Sequence, residues 1–146
     1  MKPEFKRLSS NAVPSHYDLF LRPVYGDWKT HGTVSVHFKL LAPSNVLELN
    51  ALDMEVTSAK IRDGPKSTST ELNAELQVLK ILFPEGALSP GEHVLEMEFI
   101  SELSTSLKGF YRCQSASETI LCTQFESTSA RSCFPCWDEP AIKATF

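Results

Sequence analysis

Three short stretches of this sequence hold side chains able to do chemistry. In the first, Gln124-Phe125-Glu126 places an amide and a carboxylate two residues apart. On a strand that spacing puts both polar groups on one face and Phe125 on the other. A carboxylate beside an amide suits capture of an ammonium group through charge-assisted hydrogen bonds. A solvated strand face is the plainer reading of the same spacing. In the second stretch, Trp137-Asp138-Glu139-Pro140, two carboxylates stand side by side. Such a pair can act as acid and base, but Pro140 forces Glu139 out of helical backbone. We read the two as braces of a turn, acting through Arg131 or Lys143. The third is the C-x-x-C of Cys133 and Cys136. Two such pairs would signal zinc, and Cys113 with Cys122 does not supply the second. A redox C-x-x-C opens a helix, which Pro135 and Pro140 oppose. The cysteines are therefore read as buried, reduced and structural.

The histidines add no site. His16, His31, His37 and His93 are scattered along the chain, and none begins an H-E-x-x-H. His37 falls on the polar face of an alternating run, as a solvated strand residue does. A nucleophile elbow and a phosphate-cradling glycine loop are both missing from the sequence. The residues alone make no complete active site and hold no metal or cofactor; Glu126 and Gln124 are the candidate binding residues.

Length and composition bound the rest. The 146 residues suffice for one domain with an ordinary core. Hydrophobic residues make up 42% and charged ones 22%, as in globular chains rather than disordered ones. The net charge of −4 comes with no basic run, so neither nucleic acid nor membrane is expected as a partner. The N-terminal residues have no apolar core of the kind a signal peptide carries. A cytoplasmic location is the expectation, and it agrees with reduced thiols.

The elements that must hold these groups read as strands. Tyr17, Leu19 and Leu21 alternate with polar neighbours up to Pro23. Val34, Val36, Phe38 and Leu40 do the same over residues 33–40. Short strands follow at 46–50 and near Ala59 and Ile61, and another through Leu95, Met97 and Phe99. Residues 62–70 read as a loop. Leu76 and Val78 alternate on one parity and Leu79, Ile81 and Phe83 on the other, which suggests a β-bulge at 78–79. Residues 119–126 read as the last strand. Seven or eight short strands with turn-forming connections and no long helix predict an all-β, antiparallel β-sandwich.

Taken together, several blocks resemble the N-terminal domain of zinc aminopeptidases of the puromycin-sensitive type. They are Val13-Pro14-Ser15-His16-Tyr17-Asp18-Leu19, Gly109-Phe110-Tyr111-Arg112, Thr123-Gln124-Phe125-Glu126, and the long block from Phe134 to Phe146. The resemblance runs nearly the length of the chain. It implies a saddle-shaped β-sandwich packed on a separate catalytic domain, which supplies the zinc and its ligands, the general base and a G-x-M-E-N strand. The first domain of such enzymes lends an acidic residue, here Glu126, to hold the free α-amine of a peptide substrate, and Gln124 would support the same pocket. Zinc is implied for the full enzyme and not for residues 1–146.

The match also has departures. Relatives tend to read Asp-Ala-Arg where this chain has Ser129-Ala130-Arg131, so Arg131 is expected to lack an acidic brace from position 129. Ser132 and Cys133 stand where relatives usually carry Arg and Ala. The family's first domain continues with further strands, so the sandwich is expected to be incomplete at its C-terminal end. Without the catalytic motifs, residues 1–146 are expected to be inactive alone. A non-catalytic binding module and a non-functional remnant are the alternative readings.

Overall fold

Long runs of alternating apolar and polar residues bury one face only when they are extended. In the computed structural model, which describes residues 6–146, they are. The strands are β1 (Ala12–Val24), β2 (Lys29–Leu40), β3 (Val46–Asn50), β4 (Met54–Ile61), β5 (Ser69–Asn73), β6 (Val78–Leu82), β7 (Gly91–Glu102), β8 (Gly109–Gln114) and β9 (Thr119–Gln124). Among the described residues the only helical piece is a 3-10 turn, Ala130–Ser132. One sheet has the order β1-β2-β7-β4, a second β3-β6-β5, and β8-β9 form a two-stranded ribbon. Every pairing between these strands is antiparallel, so the chain has the expected all-β, sandwich-like architecture.

The core is built from the predicted apolar faces. Val34, Val36, Phe38 and Leu40 of β2 join Leu95, Met97 and Phe99 of β7. These share one buried cluster with Leu47 and Leu49 of β3 and with Leu79 and Ile81 of β6. Each such side chain contributes roughly 1.5–3 kcal/mol when fully buried. β1 lies at a sheet edge, where Pro14 and Pro23 cost no ladder hydrogen bond. Its free edge is met by the end of the chain: Tyr17 N–H donates to Thr145 O (2.9 Å) and Thr145 N–H to Ser15 O (3.1 Å). That docking lays Phe146 flat against Tyr17, with ring centres 5.1 Å apart.

Three local expectations are corrected. β5 begins inside the stretch read as loop. Its residues are almost all exposed, so a polar edge strand left no alternating apolar signal. The β-bulge at 78–79 does not exist: β6 pairs with both β3 and β5 in unbroken register. The parity change arises because residues 74–77 form the β5–β6 hairpin turn, with Gln77 in left-handed backbone (φ 54). Finally, the last strand ends at Gln124, and Glu126 begins a turn.

Candidate functional site

Glu126 stands where the β8–β9 ribbon meets the body of the domain. Gln124, the last residue of β9, pairs with Gly109 at the start of β8. Gly109 has φ 69, and a Cβ there would sit 2.8 Å from Ser132 Cβ, so only glycine lets the ribbon rest on the 3-10 turn. After β9 the chain closes a turn in which Ser129 N–H donates to Phe125 O (2.8 Å). The Gln124 side chain folds back, its Oε1 accepting from Glu126 N–H (3.1 Å). The expected pair of Gln124 and Glu126 on one strand face is therefore not formed, because the strand stops and the amide oxygen caps the turn. Glu126 itself is exposed and makes no ion pair or side-chain hydrogen bond among the described residues.

Behind this turn lies a buried polar brace. Arg131 Nε donates to Asp138 Oδ2 (2.9 Å), Arg131 Nη2 to Asp138 O (2.8 Å), and Arg131 N–H to Asp138 Oδ2 (3.2 Å). A fourth contact runs from Arg131 Nη1 to Gln77 Oε1 (3.2 Å). Arg131 is buried and Asp138 half-buried, with side chains 8% and 12% exposed. The acidic brace thought to be missing for Arg131 is thus Asp138, seven residues on. The turn-bracing reading of the Asp-Glu pair holds: Asp138 acts through Arg131 and not Lys143, while Glu139 Oε1 accepts from Leu8 N–H (2.8 Å).

Asn50 completes the brace. Its backbone exchanges hydrogen bonds with Cys136, and its Oδ1 accepts from Asp138 N–H (3.1 Å). Sequence reasoning passed over Asn50; its signal is an amide closing the short strand Val46-Leu47-Glu48-Leu49.

The C-x-x-C lies in this packing. Cys133 and Cys136 are buried and free, as expected of structural cysteines. Burial pushes the Cys133 thiol up to about 12 and raises Cys136 well above its ordinary value. Both thiols are therefore protonated at neutral pH and poor as ligands or nucleophiles. Burial likewise raises the Tyr17 phenol, whose oxygen accepts from Trp137 N–H (3.1 Å).

The histidines are not brought to this site. His37, part-exposed, faces Asp18 Oδ2 at 3.4 Å, and His16 lies 3.3 Å from Asp18 Oδ1. This small cluster was missed; the His-x-Asp spacing on one strand face is the signal for it. Among the described residues no group of three or more His, Cys, Asp or Glu side chains is arranged to hold a metal. Cys133 and Cys136, whose thiols burial keeps protonated, do not offer zinc a thiolate pair.

In front of Glu126 opens a cavity of about 460 Å³. Its walls include Tyr17, Phe125, Phe134 and Phe146, and Glu126 and Lys143 also line it. The rings pack mutually: Phe134 meets Phe125 and Tyr17 edge-on, at 6.1 and 6.0 Å between centres. The cavity thus joins an aromatic wall to a carboxylate that has no ion pair among the described residues.

Comparison with known proteins shows the family. Residues 13–146 match the peptidase M1 N-terminal domain, and the chain belongs to that family. It is 41% identical over 145 residues to aminopeptidase M1-C of Oryza sativa subsp. japonica, covering 96% of this chain and 16% of that protein. It is 41% identical over 150 residues to aminopeptidase M1 of Arabidopsis thaliana, covering 96% and 17%. Against the puromycin-sensitive aminopeptidase of Caenorhabditis elegans it is 34% identical over 152 residues, covering 98% and 16%. The chain therefore spans about a sixth of the length of these relatives. Among the described residues no helix is long and apolar enough to cross a membrane.

Proposed function

We propose that this chain works as the N-terminal domain of a zinc-dependent aminopeptidase and supplies the anchor for the substrate's free α-amine. Its partners in that role are a peptide N-terminus and a catalytic domain of the same family. The observation that carries the reading is Glu126: an exposed carboxylate without an ion-pair partner among the described residues, held on a fixed turn. An exopeptidase must measure a set distance from the amine to the bond it cuts. A carboxylate placed by a rigid sheet does that through a charge-assisted hydrogen bond. Gln124 acts through the backbone of Glu126 and is a positioning residue. Metal ligands and general base belong to the catalytic domain, where zinc would supply Lewis-acid activation of the carbonyl. The four free thiols suit a reducing compartment, and the cytoplasm is the proposed setting.

The test is kinetic, in an enzyme that joins this domain to a catalytic domain. Glu126→Ala should lower kcat/KM for aminoacyl substrates at least about 10-fold, the loss of one hydrogen bond to a charged group. Unchanged kcat/KM in a folded variant would refute the anchor.

A further inference from the structure

The four cysteines divide by setting. Cys133 and Cys136 are buried, but Cys113 and Cys122 are only half-buried, against the expectation that all four are buried. Both belong to the β8–β9 ribbon, where Tyr111 pairs with Cys122 and Cys113 with Ile120. That register puts Tyr111, Cys113, Ile120 and Cys122 on one face, with the two cysteines as diagonal neighbours across the ladder. Partial desolvation, then the thiols of Cys122 and Cys113, raise the Tyr111 phenol, and the Cys122 side chain hydrogen-bonds to it. Both sulfurs therefore border one phenol group. Amine anchoring uses neither of them.

We infer that Cys113 and Cys122 form a reversible thiol–disulfide pair that takes a low-molecular-weight disulfide of the glutathione class as its oxidant. The inference does not rest on Glu126 being the amine anchor. Diagonal neighbours on a sheet lie roughly 7–8 Å apart, with Cβ atoms closer. A disulfide spans about 4.4–6.8 Å between Cα atoms, so the gap is small, and twist closes it. Ser115 N–H donates to Glu118 O (2.8 Å), which makes Cys113–Ile120 and Tyr111–Cys122 hydrogen-bonded rungs. On the face of such rungs, right-handed twist leans the β8 residue nearer the hairpin loop toward the β9 residue farther from it. That is the Cys113–Cys122 diagonal. Twist is largest in two-stranded ribbons. Apart from one bridge between Tyr111 and Ser104, these strands pair only with each other among the described residues. A bond closed across a diagonal is strained, and strained, accessible disulfides are the readily reduced ones.

The thiolate of one cysteine attacks a sulfur of the small disulfide and expels one thiolate, leaving a mixed disulfide. The second cysteine's thiolate then attacks the Sγ of the first and expels the other. The two protein thiols give up two electrons and two protons, and the small disulfide is reduced to two thiols. The product closes the hairpin between residues 113 and 122. It ties β9 to β8 two residues before Gln124, whose amide oxygen accepts from Glu126 N–H.

The test incubates the reduced chain with oxidised glutathione, quenches with acid and alkylates in denaturant. Trypsin separates residues 113–131, which hold Cys113 and Cys122, from residues 132–143, which hold Cys133 and Cys136. The first peptide should lose two hydrogens and take no alkylating label. The pieces on either side of Glu118 should stay joined after cleavage there, until reductant is added. The second peptide should be fully labelled, since burial keeps its thiols protonated in the fold. Oxidation should slow amide exchange in β8 and β9 at least about 10-fold, from closure of a short loop, and leave β2 and β7 unchanged. Cys113→Ser and Cys122→Ser should each abolish the cross-link and the slowed exchange. Both positions are half-buried, and thermal melting checks that the variants fold.

A reaction that stops at the mixed disulfide, a cross-link between two chains, or full labelling of the 113–131 peptide overturns the inference. So does oxidation of Cys133 and Cys136 at the same rate. A cross-link that leaves exchange in the ribbon unchanged overturns its tying of β9 to β8. None of these outcomes bears on the amine anchor, which the kinetic test decides.

Discussion

Asp138→Ala should be the most damaging single change near the site, and the structure sets its size. Arg131 is 7% exposed. Its Nε and its backbone N–H both donate to Asp138 Oδ2 (2.9 and 3.2 Å). The substitution removes that shared acceptor and leaves a buried guanidinium uncompensated. Two charge-assisted hydrogen bonds at about 1.5–3 kcal/mol each sum to roughly 3–6 kcal/mol; with Asp138 half-buried, the loss should fall at about 3–5 kcal/mol, the usual cost of breaking a buried pair from one side. For a domain of this length that is a fall in melting temperature of about 6–20 °C. It is also a large share of a stability of about 5–15 kcal/mol. Urea unfolding followed by tryptophan fluorescence measures it.

Asp138→Asn, which keeps an acceptor oxygen, should lose less. Arg131→Met combined with Asp138→Leu should recover much of the loss, since both charges leave together and apolar side chains fill the space. The double-mutant cycle would then show strong coupling. A loss under about 0.5 kcal/mol for Asp138→Ala, the scale of an ordinary surface change, would refute the reasoning. So would additive single and double variants.

Two further outcomes follow from the same packing. The Cys133 thiol is raised from 9.0 to about 12 in the fold, so its stabilising effect is complete below pH 9 and is lost as pH climbs toward 12. By pH 10 it should cost about 1.4 kcal/mol, with a further loss from Cys136; melting curves at pH 8 and pH 10 should differ, and Cys133→Ala should narrow the gap. Gly109→Ala should destabilise by at least about 1–2 kcal/mol from its left-handed backbone alone, and more from contact with Ser132, as chemical denaturation would show. An alanine tolerated at position 109 would mean that the ribbon does not rest on the 3-10 turn.

How far the chain could be read in advance depended on what each segment buries. β2 and β7 bury one face along 12 residues each, so alternation revealed them and the sheet they share. β5 buries almost nothing and left no pattern. The β5–β6 turn was misread because a hairpin and a bulge both shift parity, and only pairing distinguishes them. Asp138 and Arg131 were visible as a candidate brace, but Asn50 and Gln77 come from 54 or more residues upstream of Arg131, or nearly 90 from Asp138, and no local spacing brings them together. Glu126 was visible through its resemblance to a family block. Its setting was not, because whether β9 runs on to residue 126 is decided by Gly109 packing on Ser132 and by the Gln124 amide closing the turn.

As the proposed amine anchor, Glu126 should bind an amine and do little for the fold. Comparing kcat/KM and melting temperature for Glu126→Ala and Glu126→Gln, in an enzyme uniting this domain with a catalytic domain, tests it most directly. The expected result is kcat/KM down at least about 10-fold with stability changed by less than about 0.5 kcal/mol. Activity and stability falling in step, or stability falling alone, would contradict it.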